Sequence, residues 1–159
     1  MWYKVASLNY ARTDFSLVEL GGVIYAIDED GIEKYDSLNN KWIYIPVGEY
    51  GCKKAIAHNG KIYGIDSQCR LLEFNTTSNK WSLVASNTPK GWLAVRENKL
   101  IVVGDETGII FEFDFEKKCW VLVDSPVLPG NGGHSYYKGS VCGNNIYVFL
   151  CDYSYYSYD

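Results

Sequence analysis

The sequence predicts an all-β fold built from one repeated, four-stranded antiparallel unit, and three observations lead there. Tryptophan recurs at a fixed interval: Trp42, Trp81 and Trp120 stand 39 residues apart, and Trp2 lies 40 residues before Trp42. Each of the later three closes a step that opens seven positions earlier on another aromatic, across a polar, turn-forming bridge. The steps are Tyr35-Asp36-Ser37-Leu38-Asn39-Asn40-Lys41-Trp42, Phe74-Asn75-Thr76-Thr77-Ser78-Asn79-Lys80-Trp81, and the run from Phe113-Asp114 to Trp120. Short β-branched and aromatic runs also recur behind Gly/Asn turns: Gly21-Gly22 before Val23–Ile27, Asn59-Gly60 before Lys61–Ile65, Glu97-Asn98 before Lys99–Val103, and Gly143-Asn144 before Asn145–Phe149. Such runs between turn residues carry hairpin chemistry, and a fixed period means that one supersecondary unit is repeated.

Each unit reads as four strands. Strand a ends at the Gly/Asn turn, b follows it, c ends at Tyr35, Phe74 or Phe113, and d opens at the tryptophan. Four antiparallel strands, none able to bury both faces within its own sheet, make the blade of a β-propeller.

The aromatic-x6-Trp step, the Gly-x-Ile-Tyr strand and the arginine of Asn9-Tyr10-Ala11-Arg12 resemble the kelch repeat, and the run from Trp2 to Ile27 is most similar to the BTB-kelch subgroup. The resemblance covers essentially the whole chain. Two departures stand against it. The double glycine that follows strand b in kelch repeats is replaced by Ile27-Asp28, Ile65-Asp66, Val103-Gly104 and Leu150-Cys151, so only Gly104 survives. The period is also shorter than the ~50 residues usual for kelch, which implies short loops.

In chain order, residues 1–6 read as a lone strand d, followed by a loop that carries Arg12. Blades are expected over 15–46, 53–85 and 91–123, and an incomplete blade over 134–159 that ends where its c–d turn begins. The longest connection, Asp124 to His134, is rich in glycine and proline. Two arrangements fit. In one, residues 2–6 pair with Tyr155–Tyr158 and close a small ring, which removes exposed edges. In the other, which is preferred, about four repeats form part of a larger propeller of five to seven blades.

Composition narrows the function. With 159 residues and 47% apolar content, the chain is long enough to bury a substantial core. A formal charge of −4 disfavours nucleic acid as a partner, which would call for a concentrated basic surface. No apolar run reaches the length of a membrane span, and the first residues do not begin a signal peptide. Five irregularly spaced cysteines, Cys52, Cys69, Cys119, Cys142 and Cys151, fit reduced thiols better than a disulfide framework. Cytoplasmic location is therefore expected.

Catalytic and cofactor chemistry finds little footing. Only His58 and His134 are available, and their register sets them apart, so no metal site is expected. Serines and aspartates fall mostly in turns, and Pro129-Gly130-Asn131-Gly132-Gly133 lacks the Lys-Ser/Thr ending of a phosphate cradle. The repeating aromatics are expected to pack between neighbouring blades, with Trp42, Trp81 and Trp120 in little contact with solvent. The chain thus reads as a non-enzymatic binding module without a cofactor.

The blade register divides the loops between two faces. The d–a and b–c loops share one face, and the residues expected to meet a protein partner there are Arg12, Asp28, Glu29, Asp30, Glu49, Asp66, Arg70, Lys90, Asp105, Glu106, His134, Asp152 and Tyr153. On the opposite face Lys41, Lys61, Lys80, Lys99, Lys117 and Lys118 outnumber Asp36, Asp114 and Glu116, which predicts a polar axis for the module. The resemblance implies partner contact for Arg12; a tie to a neighbouring loop carbonyl or carboxylate fits the same position, and both readings stand. If Arg12 contacts a partner, Arg12→Ala weakens binding and leaves the unfolding midpoint nearly unchanged. Resemblance to BTB-kelch proteins further implies the substrate-recognition part of a cullin-3 ubiquitin-ligase adaptor. A stand-alone kelch-like protein that binds or acts on a small molecule such as a sugar is the alternative.

Overall fold

The computed structural model describes residues 4–52, 54–105, 107–125 and 135–152, with the backbone alone described for 135–138 and 148–152. The chain is all-β, and it divides into two compact units, residues 1–88 and 89–159.

The first unit holds two four-stranded antiparallel sheets. Ser16–Leu20 (β1), Val23–Ile27 (β2), Ile32–Asp36 (β3) and Lys41–Ile45 (β4) form one, in the order β1-β2-β3-β4. Lys54–His58 (β5), Lys61–Ile65 (β6), Leu71–Asn75 (β7) and Lys80–Ala85 (β8) form the other, again in sequence order. In the second unit Trp92–Arg96 (β9), Lys99–Val103 (β10), Ile110–Asp114 (β11) and Cys119–Asp124 (β12) make a third such sheet, and Ser135–Cys142 (β13) pairs with Asn145–Asp152 (β14).

Local chemistry sets both turn families. At the β13–β14 turn Gly143 alone takes positive φ (58°), but the a–b turns of the three four-stranded sheets need two successive residues at positive φ, the condition of a type I′ hairpin. Gly21 (61°) and Gly22 (80°), Asn59 (48°) and Gly60 (72°), and Glu97 (50°) and Asn98 (59°) supply them. In the c–d turns a side chain closes the loop: the Oδ1 atoms of Asp36, Asn75 and Asp114 each accept the backbone N–H groups two and three residues on, at 2.9–3.2 Å. Each of these turns then leaves through a left-handed residue, Asn40, Asn79 or Lys118.

The aromatic step is therefore a cross-strand pair. Tyr35 faces Trp42, Phe74 faces Trp81 and Phe113 faces Trp120, with ring centroids 5.1, 5.2 and 5.0 Å apart. Burial is not equal among them. Trp81 is buried, whereas Trp42 and Trp120 are half-buried, so the expected uniform exclusion of solvent holds for Trp81 alone.

In the first unit the two sheets meet face to face. Val18, Tyr25, Ile27, Ile32 and Ile45 from one close on Ile62, Leu72, Phe74 and Trp81 from the other, with Cys52 between them. Tyr25 meets Phe74 edge-on at 6.3 Å. The inner strands are tied where Ala55 N donates to Ser16 Oγ at 3.0 Å. Each such apolar side chain contributes about 1.5–3 kcal/mol on full burial, which is why neither sheet is stable with that face bare. In the second unit Ala94, Ile101, Val103 and Ile110 form the core, against which Trp92, Val141 and Ile146 pack.

Several expectations change. The described part of the proposed first strand, residues 4–6, enters no ladder. It is held by side chains instead: Ala6 N donates to Asn40 Oδ1 (2.9 Å), and Trp42 Nε1 donates to Ala6 O (3.0 Å). Strand β14 runs on through Leu150-Cys151 to Asp152, which pairs with Ser135. No bend therefore falls where the repeat places its double glycine, and Asp152 is a strand residue, not a loop residue. The pairing of residues 2–6 with Tyr155–Tyr158 falls outside the described residues.

Candidate functional site

The b–c loops begin where strand b ends. After Ile27 and Ile65 the repeat calls for glycine, and aspartate stands there instead. Its carboxylate closes the turn that glycine would otherwise form by backbone freedom. Asp28 Oδ1 accepts from Asp30 N (2.9 Å) and Gly31 N (3.0 Å). Asp66 Oδ1 accepts from Gln68 N (3.0 Å) and Arg70 N (2.8 Å), and its Oδ2 accepts from Arg70 Nε (2.6 Å). In the third blade, where Gly104 keeps the glycine, its N–H donates to Ile109 O, its carbonyl accepts from Gly108 N, and Thr107 Oγ1 accepts from Ile109 N (3.2 Å).

Around the first of these turns lies a buried ionic network. Glu33, on β3, has no solvent exposure. Its Oε2 accepts from Asn9 N (2.7 Å) and Asn9 Nδ2 (2.6 Å), and its Oε1 from Tyr10 N (3.4 Å) and Arg12 Nε (3.2 Å). Arg12 continues the chain of contacts: its Nη1 donates to Gly31 O (3.1 Å) and pairs with the Asp28 carboxylate. One guanidinium thus lies between two carboxylates and stitches the 9–12 loop to the 28–31 loop. Of the two roles open to Arg12, the geometry supplies the structural one, because its side chain is only 2% exposed.

Two tyrosines stand over this network. Tyr10 (55% exposed) and Tyr44 (40% exposed) meet edge-on with ring centroids 5.0 Å apart. Tyr44 Oη donates to Asp30 O at 2.9 Å, and Gly31 lies so close under the Tyr44 ring that a Cβ there would overlap it. Beside them a cleft of about 140 Å³ opens between Ala11–Asp14 and Asp28–Asp30.

The second blade repeats the scheme with different parts. Arg70 pairs with Asp66 and lies over the Tyr50 ring, 4.9 Å from its centroid. Thr88 N donates to Cys69 O at 2.8 Å. Gly51 sits against the Glu29 carbonyl, which brings the second d–a connection onto the first b–c loop.

The expected partner residues thus fall into groups. Arg12, Asp28, Glu29 and Asp30 come together around the cleft, and Asp66 and Arg70 form a second cluster. Glu49 is exposed on the d–a connection of the same unit, while Lys90 and Asp105 belong to the second unit. Glu106, His134 and Tyr153 lie outside the described residues. The sequence reading missed Glu33, Asn9, Tyr10, Tyr44 and Tyr50. Glu33 did carry a signal: one repeat on, the same position holds Leu72, and two repeats on, Phe111. A carboxylate at a register otherwise apolar calls for a buried partner.

At the a–b and c–d turns of each unit the predicted lysine excess is partly neutralised. Lys61 pairs with Glu73 and Lys99 with Glu112, both at 2.9 Å, and Lys117 pairs with Asp114 at 3.3 Å. Glu73 and Glu112 belong to strands β7 and β11, so a tally of turn residues does not find them. Among the described residues no three His, Cys, Asp or Glu side chains converge as metal ligands, and no helix is long and apolar enough to cross a membrane.

No protein-family model matches the chain. Curated proteins do. The chain is 28% identical over 174 residues to Kelch-like protein 23 of Homo sapiens, a match that covers 87% of this chain and 31% of that protein. It is 29% identical over 161 residues to Kelch repeat and BTB domain-containing protein 1 of Vaccinia virus (strain Copenhagen), covering 82% of this chain and 28% of that protein. The horsepox virus protein of the same name is 28% identical over 159 residues, with 82% and 28% covered. These are kelch-like blades. The kelch-like chain spans less than a third of the length of each of these relatives. Within it, aspartate stands where the repeat has glycine at two of the three described b–c loops, and the buried Arg12 ties the 9–12 loop to the first of them.

Proposed function

We propose that the chain is a protein–protein recognition module that engages its partner through the d–a and b–c loops of its first unit. The observation that carries this reading is the Glu33–Arg12–Asp28 network. Two ionic groups with almost no exposure are retained to hold surface loops in one arrangement, and loops ordered before binding lose less entropy on association. A tyrosine pair stands exposed over that scaffold, and tyrosine offers large, rigid contact area at low entropic cost. The relatives are kelch-repeat proteins, and two of those named above carry BTB in their names. We extend the proposal to substrate recognition for a cullin-3 ubiquitin ligase in the cytoplasm, with no catalytic step on this chain.

The test is affinity capture with the intact chain, identification of bound proteins by mass spectrometry, and repetition with Asp30→Lys and Glu49→Lys loop variants. Specific partners that bind the wild-type chain and are lost by a loop variant support the module. If none is recovered, or none depends on these loops, the module reading fails. The ligase reading has its own arm: overexpressed chain should compete for the partner and raise its level, as should blocking cullin neddylation. A partner whose level ignores both treatments leaves the module standing and removes the ligase.

A further inference from the structure

We infer that the Tyr10–Tyr44 pair and the cleft beside it receive a cationic, arginine- or lysine-bearing segment of the partner protein. This rests on the recognition-module reading and gives it a chemistry. Arginine is expected on that face from the sequence, yet the guanidinium there is consumed: Arg12 is 2% exposed and enclosed by Glu33 and Asp28. The rim that remains is acidic, with Asp14 and Asp30 exposed on either side of the cleft. Two tyrosine rings stand next to that rim, 55% and 40% exposed.

Carboxylates next to exposed aromatic faces match one kind of side chain. A guanidinium or ammonium is attracted to the ring face by its quadrupole and to the carboxylates by charge. Guanidinium fits better, because its planar fork can meet a carboxylate while its face lies on a ring. The molecule itself contains that contact where Arg70 lies over Tyr50 and pairs with Asp66. Around Tyr10 and Tyr44 the ring and carboxylate halves are both present, and the cation is not supplied by the loop pair. The site is also held in shape. Glu33 fixes the Tyr10 backbone N–H, and Asp30 O fixes the Tyr44 hydroxyl.

The experiment uses the intact chain and fluorescein-labelled peptides made of arginine, glycine and serine, with glutamate–glycine–serine peptides as counterparts. Anisotropy is read at about 150 mM salt, where the Debye length is ~8 Å and diffuse attraction is largely screened. The arginine peptide should bind and the glutamate peptide should not. Tyr10→Ala should weaken binding roughly fivefold or more, and Tyr10→Phe should keep it, because the ring and not the hydroxyl is used. Paired Asp14→Asn and Asp30→Asn changes should weaken it at least as much as Tyr10→Ala, and Glu116→Gln in the third c–d turn should do nothing. Unfolding midpoints of all variants separate lost binding from lost fold.

Equal affinity for both peptides overturns the inference, as does equal loss from Tyr10→Phe and Tyr10→Ala, or from Glu116→Gln and the aspartate changes. Captured protein partners that bind Tyr10→Ala and Asp14→Asn/Asp30→Asn as well as wild type would also overturn it, while leaving the recognition module in place.

Discussion

Glu33 and Arg12, 21 residues apart in sequence, form an ion pair at 3.2 Å with side chains 0% and 2% exposed. Removing one partner leaves a charge buried without compensation, so Arg12→Ala is expected to cost about 3–5 kcal/mol. Replacing both groups by apolar ones, Glu33→Leu with Arg12→Met, leaves no uncompensated charge between the pair but strips Asn9, Tyr10 and Asp28 of partners. The double variant should therefore lose less than the sum of Arg12→Ala and Glu33→Leu alone. Urea midpoints of the single and double variants check this. A single Arg12→Ala change that leaves the midpoint unmoved would show that the pair is not what holds the loops.

Gly64, on β6, stands where the other blades have Ala26 and Val102. A Cβ there would overlap Cys52 Sγ and approach Trp81 Cη2 to 3.1 Å. Gly64→Ala should therefore destabilise by about 1–3 kcal/mol, the usual cost of overpacking. The same change in a Cys52→Gly background, where the sulfur is gone, should cost measurably less. Equal losses in both backgrounds would place the strain elsewhere.

Acid should act on the c–d turns. The Asp36 carboxyl is held below the ordinary value of 3.8 by the Asn39 side chain, with help from the N–H groups of Asn39 and Leu38. Asp114 is held down chiefly by the N–H of Lys117. A depressed carboxylate contributes stability that is present above its unfolded value and lost as pH falls through the lower, folded value. Asn75 does the same work in the second blade without a titrating group. Asp36→Asn with Asp114→Asn should therefore give up that contribution, lowering the neutral-pH midpoint slightly and flattening the decline below pH ~4. Thermal scans at stepped pH read the difference, and parallel acid limbs would refute it.

Glu97 occupies a left-handed position (φ 50°) that Gly21 and Asn59 fill in the other blades. A glutamate pays a steric penalty there that asparagine largely avoids, so Glu97→Asn should raise stability by up to ~1 kcal/mol. Glu116→Asn, in an exposed turn position without positive φ, should give no gain. A Glu97→Asn variant no more stable than wild type would mean that the turn relaxes around glutamate.

The sequence by itself determined the period, the four strands of each full blade and the positions of both turn families. These rest on local physics: side chains alternate across a strand with period two, and positive φ selects glycine and asparagine within a turn of two residues. That locality is why the steps from Tyr35 to Trp42, Phe74 to Trp81 and Phe113 to Trp120 were legible as strand–turn–strand units, whereas the pairing of their rings across the strands is what the structure adds. What only the tertiary structure decided is which distant groups meet. Nothing local tells Arg12 that Glu33 will lie under it, or Gly64 that Cys52 and Trp81 will close on it. The same holds for Arg70, which reaches Tyr50 across a blade. These contacts depend on how one sheet and its loops stack on the next, and burial there decides whether a charge serves as surface or as scaffold. Arg12 belongs to the scaffold because two carboxylates and a carbonyl surround it. Tyr10 and Tyr44 are left at the surface because that scaffold lifts them there.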